Sequence, residues 1–270
     1  MNARTLPAHD AATWGPALDE AVDVVANGGL VVLPTDTVYG IGADAFSPPA
    51  VQALLDAKGR GRQMPPPVLI ADVRTLDGLA TEVPAHARLL AEAFWPGGLT
   101  LIVRAQPSLA WDLGETHGTV ALRVPDHATA RALLRRTGPL AVSSANRTGF
   151  AAAVDAGEAY RQLGDRVRVY LDAGDAPGQV ASTIVDATGP RLRVVRLGAL
   201  DLETLNAVAP VLGLDGELPS DEPAAAAPDE KAPDEQAPDP QPADDEAPAA
   251  DAPGAGPDMV KDAPAGGAPG

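Results

Sequence analysis

The sequence predicts an α/β fold, a mixed parallel and antiparallel sheet flanked by helices and followed by a disordered tail, and three observations support this. Short apolar runs rich in β-branched residues alternate with stretches of helical periodicity, as layers of helix around a buried sheet require. The last two strand-like runs, Thr183 to Val185 and Leu192 to Val195, stand too close together for a helical crossover, so the sheet is mixed rather than wholly parallel. The composition then shifts near Gly213: residues 215–270 hold 15 of the 37 Asp and Glu but only two of the 20 Lys and Arg. That shift divides the chain into a domain over 14–214 and a disordered, acidic, Pro/Ala-rich tail over 215–270. Such a tail buries too little apolar surface to offset the entropy of ordering.

The elements follow in order. Leu18, Ala21, Val22 and Val25 recur at helical spacing between Pro16 and Asn27, and Gly28-Gly29 stops the run. Leu30 to Leu33 then reads as a strand buried on both faces. Helical spacing returns at Pro49 to Ala57, Pro84 to Phe94 and Ala156 to Leu163. Strand-like runs fall at Val68 to Ile70, Leu99 to Val103, Val120 to Val124, Leu140 to Val142 and Val167 to Leu171. No internal repeat is present.

Composition excludes whole classes of chemistry. The chain has no cysteine, hence no disulfide framework, thiolate nucleophile or thiolate metal site. His9, His86, His117 and His127 are far apart and show no ligand spacing. No apolar stretch approaches the roughly 18 residues that span a bilayer, and Met1 to Asp10 does not resemble a secretion signal, so a cytoplasmic location without membrane contact is expected. Most of the net charge of −17 belongs to the tail, whose sign opposes nucleic acid contact.

Four segments carry candidate chemistry. At Pro34-Thr35-Asp36-Thr37-Val38-Tyr39 an extended chain would put the hydroxyls of Thr35, Thr37 and Tyr39 on one side, able to orient a small polar substrate at a sheet edge. The alternative is a polar strand end with satisfied hydroxyls. The following Gly40-Ile41-Gly42-Ala43-Asp44-Ala45 is not a dinucleotide fingerprint, because Pro34 and five further residues separate it from the apolar strand and Phe46-Ser47-Pro48-Pro49 delays any helix. In Lys58-Gly59-Arg60-Gly61-Arg62, an extended backbone would project all three cations to one side as a phosphate clamp; otherwise it is a solvated basic turn. Thr119 to Pro125 alternates, with Val120, Leu122 and Val124 on one face and Thr119, Ala121 and Arg123 on the other. There Arg123 can hold a carboxylate with its fork or make a cross-strand ion pair. The strand Leu140 to Val142 runs into Ser143-Ser144-Ala145-Asn146, small donors suited to an anion or simply to a turn. With no Gly-x-Ser-x-Gly elbow, serine nucleophile chemistry is unsupported.

Taken in order, Pro-Thr-Asp-Thr-Val-Tyr-Gly-Ile-Gly (34–42), Lys-Gly-Arg (58–60), Phe-Trp-Pro-Gly-Gly-Leu-Thr (94–100), Arg-Val-Pro (123–125), Ser-Ala-Asn (144–146) and Ser-Thr-Ile-Val-Asp (182–186) resemble the YrdC-like family, the L-threonylcarbamoyladenylate synthases. The resemblance covers Gly29 to Gly198. It implies a twisted sheet with a concave basic cavity, and a nucleotidyltransferase that makes L-threonylcarbamoyl-AMP from L-threonine, bicarbonate and ATP, releasing pyrophosphate, for threonylcarbamoyl-adenosine modification of tRNA. By position it implies threonine against Thr35, Arg123, Ser182 and the backbone at Val142. It implies ATP against Lys58, Arg60, Thr119, Ser144, Asn146 and Arg196, with Lys58, Arg60, Ser144 and Asn146 serving catalysis. Mg2+ would come with the nucleotide rather than in a dedicated cage. The product would pass to a tRNA threonylcarbamoyl transferase, without requiring direct tRNA contact. Three positions depart from the family's pattern. Met64 stands where relatives often carry Asn or Lys, the strand around Leu69 lacks a histidine often used for threonine, and Leu197 replaces a proline. The competing reading is a non-enzymatic RNA-binding module of the same fold, against which the near-balanced charge of the body and its few aromatics count.

Overall fold

The structure, a computed structural model, describes residues 2–219, so the tail expected over 215–270 lies outside them from residue 220 onward. The strands are β1 (Arg4–Pro7), β2 (Val31–Leu33), β3 (Gly40–Asp44), β4 (Val68–Leu69), β5 (Ala80–Thr81), β6 (Leu99–Ala105), β7 (Thr119–Arg123), β8 (Leu140–Ser144), β9 (Val169–Asp172), β10 (Thr183–Asp186), β11 (Leu192–Arg196) and β12 (Val211–Leu212). The helices are α1 (Gly15–Ala26), α2 (Pro48–Lys58), α3 (Leu76–Leu79), α4 (Ala85–Phe94), α5 (Ala128–Thr137), α6 (Ala156–Leu163) and α7 (Leu202–Asn206). Among the described residues the strands form one sheet in the order β1-β9-β2-β3-β8-β4-β7-β6-β10-β11-β12, with β5 pairing β6. Parallel pairs such as β4 with β7 and β6 with β10 sit beside antiparallel ones such as β3 with β8 and β6 with β7, giving the expected mixed sheet. The short β10–β11 connection makes an antiparallel pair, as its length requires.

Burial explains why the apolar runs become inner strands. Val31 and Leu33 of β2 pack on Leu18, Ala21 and Val25 of α1 and Leu133 and Leu134 of α5. Val32 between them joins Leu54 and Leu55 of α2 and Ala159 and Leu163 of α6 on the other face. A third cluster packs Leu90 of α4 with Leu101 and Val103 of β6 and Val120 and Leu122 of β7. Each fully buried leucine or valine contributes about 1.5–3 kcal/mol. Local signals set the helix ends. Pro48 opens α2 and Gly59 closes it at φ +63°, while Asp155 accepts from the Glu158 amide at the start of α6 and Glu158 reaches back to the Val154 amide.

Several elements differ from expectation. The sheet starts at Arg4, ahead of the boundary expected at residue 14, because Arg4–Pro7 pairs with β9 in parallel and Ala8 O accepts from Thr129 Oγ1. Beyond residue 214, a turn closes with Gly213 N donating to Glu217 O. Helix α5 was not anticipated, because its apolar Ala130, Leu133 and Leu134 lie among Arg131, Arg135 and Arg136. Gly40 and Gly42 belong to β3, where a Cβ at Gly40 would sit 2.5 Å from Val142 Cγ1, so the glycine permits close approach of β8. No described helix is long and apolar enough to cross a membrane.

Candidate functional site

The sheet order makes β3, β8, β4, β7, β6 and β10 consecutive neighbours, so side chains far apart in sequence meet over one cavity of about 390 Å³. Its wall includes Thr35, Arg60, Thr119, Arg123, Val142, Ser144, Ser182 and Arg196, eight of the ten residues singled out from sequence. Among the described residues three arginines line it and no carboxylate does. A cavity with that lining favours an anion.

Arg123 is held by three acceptors. Its Nε donates to Gly97 O (2.9 Å), Nη1 to Thr37 Oγ1 (2.8 Å) and Nη2 to Asp36 Oδ1 (2.6 Å). A guanidinium has five N–H groups, so two are left over for a ligand. The ion pair of the alternative reading thus exists, but with Asp36 of the loop after β2 rather than across the sheet. Thr35 Oγ1 lies 3.0 Å from Thr37 Oγ1 and donates to Val38 O. The expected row of three hydroxyls does not form: the segment bends, and Tyr39 turns its hydroxyl away, donating to Gly174 O and accepting from Ala173 N. Burial raises the Tyr39 phenol to about 12.

Elsewhere on the wall, Arg60 Nη1 donates to Ser143 Oγ (2.9 Å), while its buried Nε has no partner among the described residues. Burial, then the charge of Arg196, pulls the Arg60 guanidinium below its ordinary range. Arg196 donates from Nη2 to Ser182 O (2.7 Å) and Oγ (3.1 Å), and the Ser182 hydroxyl is 2.9 Å from that of Thr100. The Thr119 hydroxyl donates to Thr116 O. Val142, whose backbone was expected to face the substrate, lines the cavity, and its amide donates to Pro67 O (2.8 Å).

Lys58 and Asn146 are not on the cavity wall, and the three cations of 58–62 do not share a side. Lys58 ends α2, and the left-handed turn at Gly59 sends its successors elsewhere. Its ammonium donates to Ser144 O, to Asn146 O (2.7 Å) and to Asn146 Oδ1 (3.3 Å), bracing the loop after β8 from behind. Asn146 Nδ2 in turn donates to Phe150 O and Arg147 O. Arg62 pairs with exposed Asp112. Sequence reasoning missed the roles of Asp36 and Thr100, although both sit inside quoted motifs, and it named Thr37 and Ser143 as hydroxyl bearers without foreseeing that they accept from Arg123 and Arg60. It also missed the wall formed by Pro65, Pro66, Pro67 and Leu113, which carries no chemical signature. Of the three departures, Met64 and Leu69 line the cavity, and Leu197 is exposed outside it.

Burial, then the charge of Arg60, lowers Lys58 to about 8. Between pH 8 and its ordinary value of 10.5 the unfolded chain holds a proton that the folded protein has released, so this group's contribution to stability rises with pH across that window. From pH 7.5 to 9.5, urea unfolding should show the wild type gaining on a Lys58→Met variant by about 2 kcal/mol. A constant difference would mean that Lys58 titrates as an ordinary lysine.

Comparison with known proteins places this geometry. The family model Sua5_yciO_yrdC, described as telomere recombination, matches residues 23–198. A Mycobacterium tuberculosis (strain CDC 1551 / Oshkosh) protein provisionally named threonylcarbamoyl-AMP synthase is 56% identical over 195 residues, covering 72% of this chain and 88% of that one. The threonylcarbamoyl-AMP synthase of Bacillus subtilis (strain 168) is 34% identical over 222 residues, 81% of this chain and 64% of that protein. The crystal structure of P. abyssi Sua5 complexed with L-threonine matches with a TM-score of 0.73 at 31% identity, covering 76% of this chain and 61% of that one. The chain therefore spans less than two thirds of the B. subtilis and P. abyssi proteins.

Proposed function

The chain belongs to the Sua5/YciO/YrdC family, and from that premise we propose that it makes L-threonylcarbamoyl-AMP from L-threonine, bicarbonate and ATP, releasing pyrophosphate, for threonylcarbamoyl-adenosine modification of tRNA. The observation that carries the proposal is the convergence of Arg60, Arg123 and Arg196 on one cavity that no carboxylate lines among the described residues. Relatives named for this activity, and the threonine bound by P. abyssi Sua5, support the choice of substrates. In this reading Arg123 meets the threonine carboxylate with its two remaining N–H groups, near Thr35 and Ser182. Arg60 and Arg196 meet phosphate oxygens, with Thr119 and Ser144 beside the nucleotide. Lys58 and Asn146 act from behind by holding the Ser144 loop in place.

The threonine nitrogen attacks the carbon of bicarbonate and water leaves, giving a carbamate. A carbamate oxygen then forms a bond to the α-phosphorus as the bond to the β-phosphate oxygen breaks and pyrophosphate departs. No covalent enzyme intermediate is required. The site contributes alignment of the two reactants and positive charge over the phosphates. The described residues contain no group of three or more His, Cys, Asp or Glu fitted to hold a metal, so magnesium would be carried on the phosphates. In the same reading the YrdC-like body is the catalytic domain, the acidic extension takes no part in catalysis, and the product passes to a tRNA threonylcarbamoyl transferase in the cytoplasm.

Purified protein given ATP should release pyrophosphate only when threonine and bicarbonate are both present. Release that ignores threonine would contradict the proposal. RNA binding without any turnover would favour an RNA-binding module instead.

A further inference from the structure

We propose that Asp36 is a positioning residue for substrate selection, setting the direction in which Arg123 presents its free N–H groups; this rests on the functional reading above. Arg123 is 6% exposed, and a buried guanidinium takes its direction from whatever accepts its N–H groups. Of its three acceptors, Gly97 O and the Thr37 hydroxyl are neutral and Asp36 alone carries charge. The same Asp36 Oδ1 also accepts from the Asp126 amide at 2.9 Å. One carboxylate oxygen therefore joins the loop after β2 to the connection between β7 and α5. Arg123 ends β7, so its backbone and its guanidinium are both referred to this one atom.

Asp36 itself does not line the cavity, so it acts through Arg123 rather than on a ligand. Its charge offsets only one of the cations there, and it does so at the Arg123 end. Among the described residues Arg60 and Arg196 have no carboxylate partner: Arg60 is bonded to Ser143, and Arg196 to Ser182. The cavity therefore has one arginine oriented by a counter-charge, suited to a small carboxylate, and two with no counter-charge among the described residues, suited to phosphates. Loss of Asp36 should then disturb threonine recognition and leave the nucleotide end as it is.

The test measures steady-state pyrophosphate release by wild type, Asp36→Asn and Asp36→Glu, with thermal melting of each. Asp36→Asn keeps the shape but loses the charge, so its KM for threonine should rise at least tenfold while its KM for ATP stays within twofold. Asp36→Glu keeps the charge on a longer arm and should fall between wild type and Asp36→Asn. Should Asp36→Asn fail to fold, the threonine and ATP constants of Asp36→Glu decide, with a rise confined to threonine expected. Unchanged threonine constants, or equal rises for threonine and ATP, beside an active wild type would overturn this inference alone. A wild type without threonine-dependent turnover would overturn the functional reading and this inference with it.

Discussion

Arg60→Gln should reduce threonine-dependent pyrophosphate release by roughly 10²- to 10³-fold while the melting temperature stays close to that of the wild type. The two effects separate because Arg60 does little for the fold. Among the described residues its guanidinium makes one hydrogen bond, to Ser143 Oγ, and its buried Nε has no partner. Removing one such bond costs about 1 kcal/mol, and relief of the repulsion with Arg196 offsets part of that. Charge over the phosphates in the transition state has no such substitute. Stopped-flow pyrophosphate release and a thermal melt on the same sample check both halves. A variant with full activity would remove Arg60 from the phosphate end.

The second large effect is expected at Gly198→Ala, where backbone meets backbone. A Cβ at residue 198 would lie 2.0 Å from Ala181 O and 2.7 Å from Ser182 C, contacts that no side-chain rotation relieves. Gly198 N also donates to Thr183 Oγ1, so the segment cannot simply swing outward without losing that bond. The substitution should cost about 1–3 kcal/mol in denaturant unfolding. It should also shift Ser182 away from Arg196 and Thr100, a displacement large enough to lower turnover about a hundredfold. Normal stability together with normal turnover would mean that β10 and β11 tolerate separation at this point.

The sequence made visible those parts of the molecule that repeat a period or a motif. Leu30 to Leu33 announced a strand buried on both faces because every residue is apolar, and the alternation of Thr119 to Val124 gave the correct faces, Val120 and Leu122 inward to the core and Arg123 to the cavity. Helix α5 and strand β1 were hidden for opposite reasons. The first is diluted by arginines on its outer side, and the second is a four-residue edge strand recognisable only by its partner.

In the site, residue identity was readable but direction was not. The basic triplet 58–62 looked like one clamp, yet the left-handed conformation at Gly59 gives Lys58 to the protein interior, Arg60 to the cavity and Arg62 to Asp112. Tyr39 likewise left its neighbouring threonines because a deeper cluster offered its ring burial and Gly174 offered its hydroxyl an acceptor. Asp36 went unnoticed because its partner Arg123 lies 87 positions away, a pairing made by the adjacency of β7 and the loop after β2 in space.

The most direct measurement is mass spectrometry of the adenylate formed from ATP, nitrogen-15 threonine and carbon-13 bicarbonate by the full chain. A single AMP adduct that carries both heavy isotopes should appear together with pyrophosphate. An adduct lacking the bicarbonate carbon, or ATP cleavage with no threonine in the product, would contradict it.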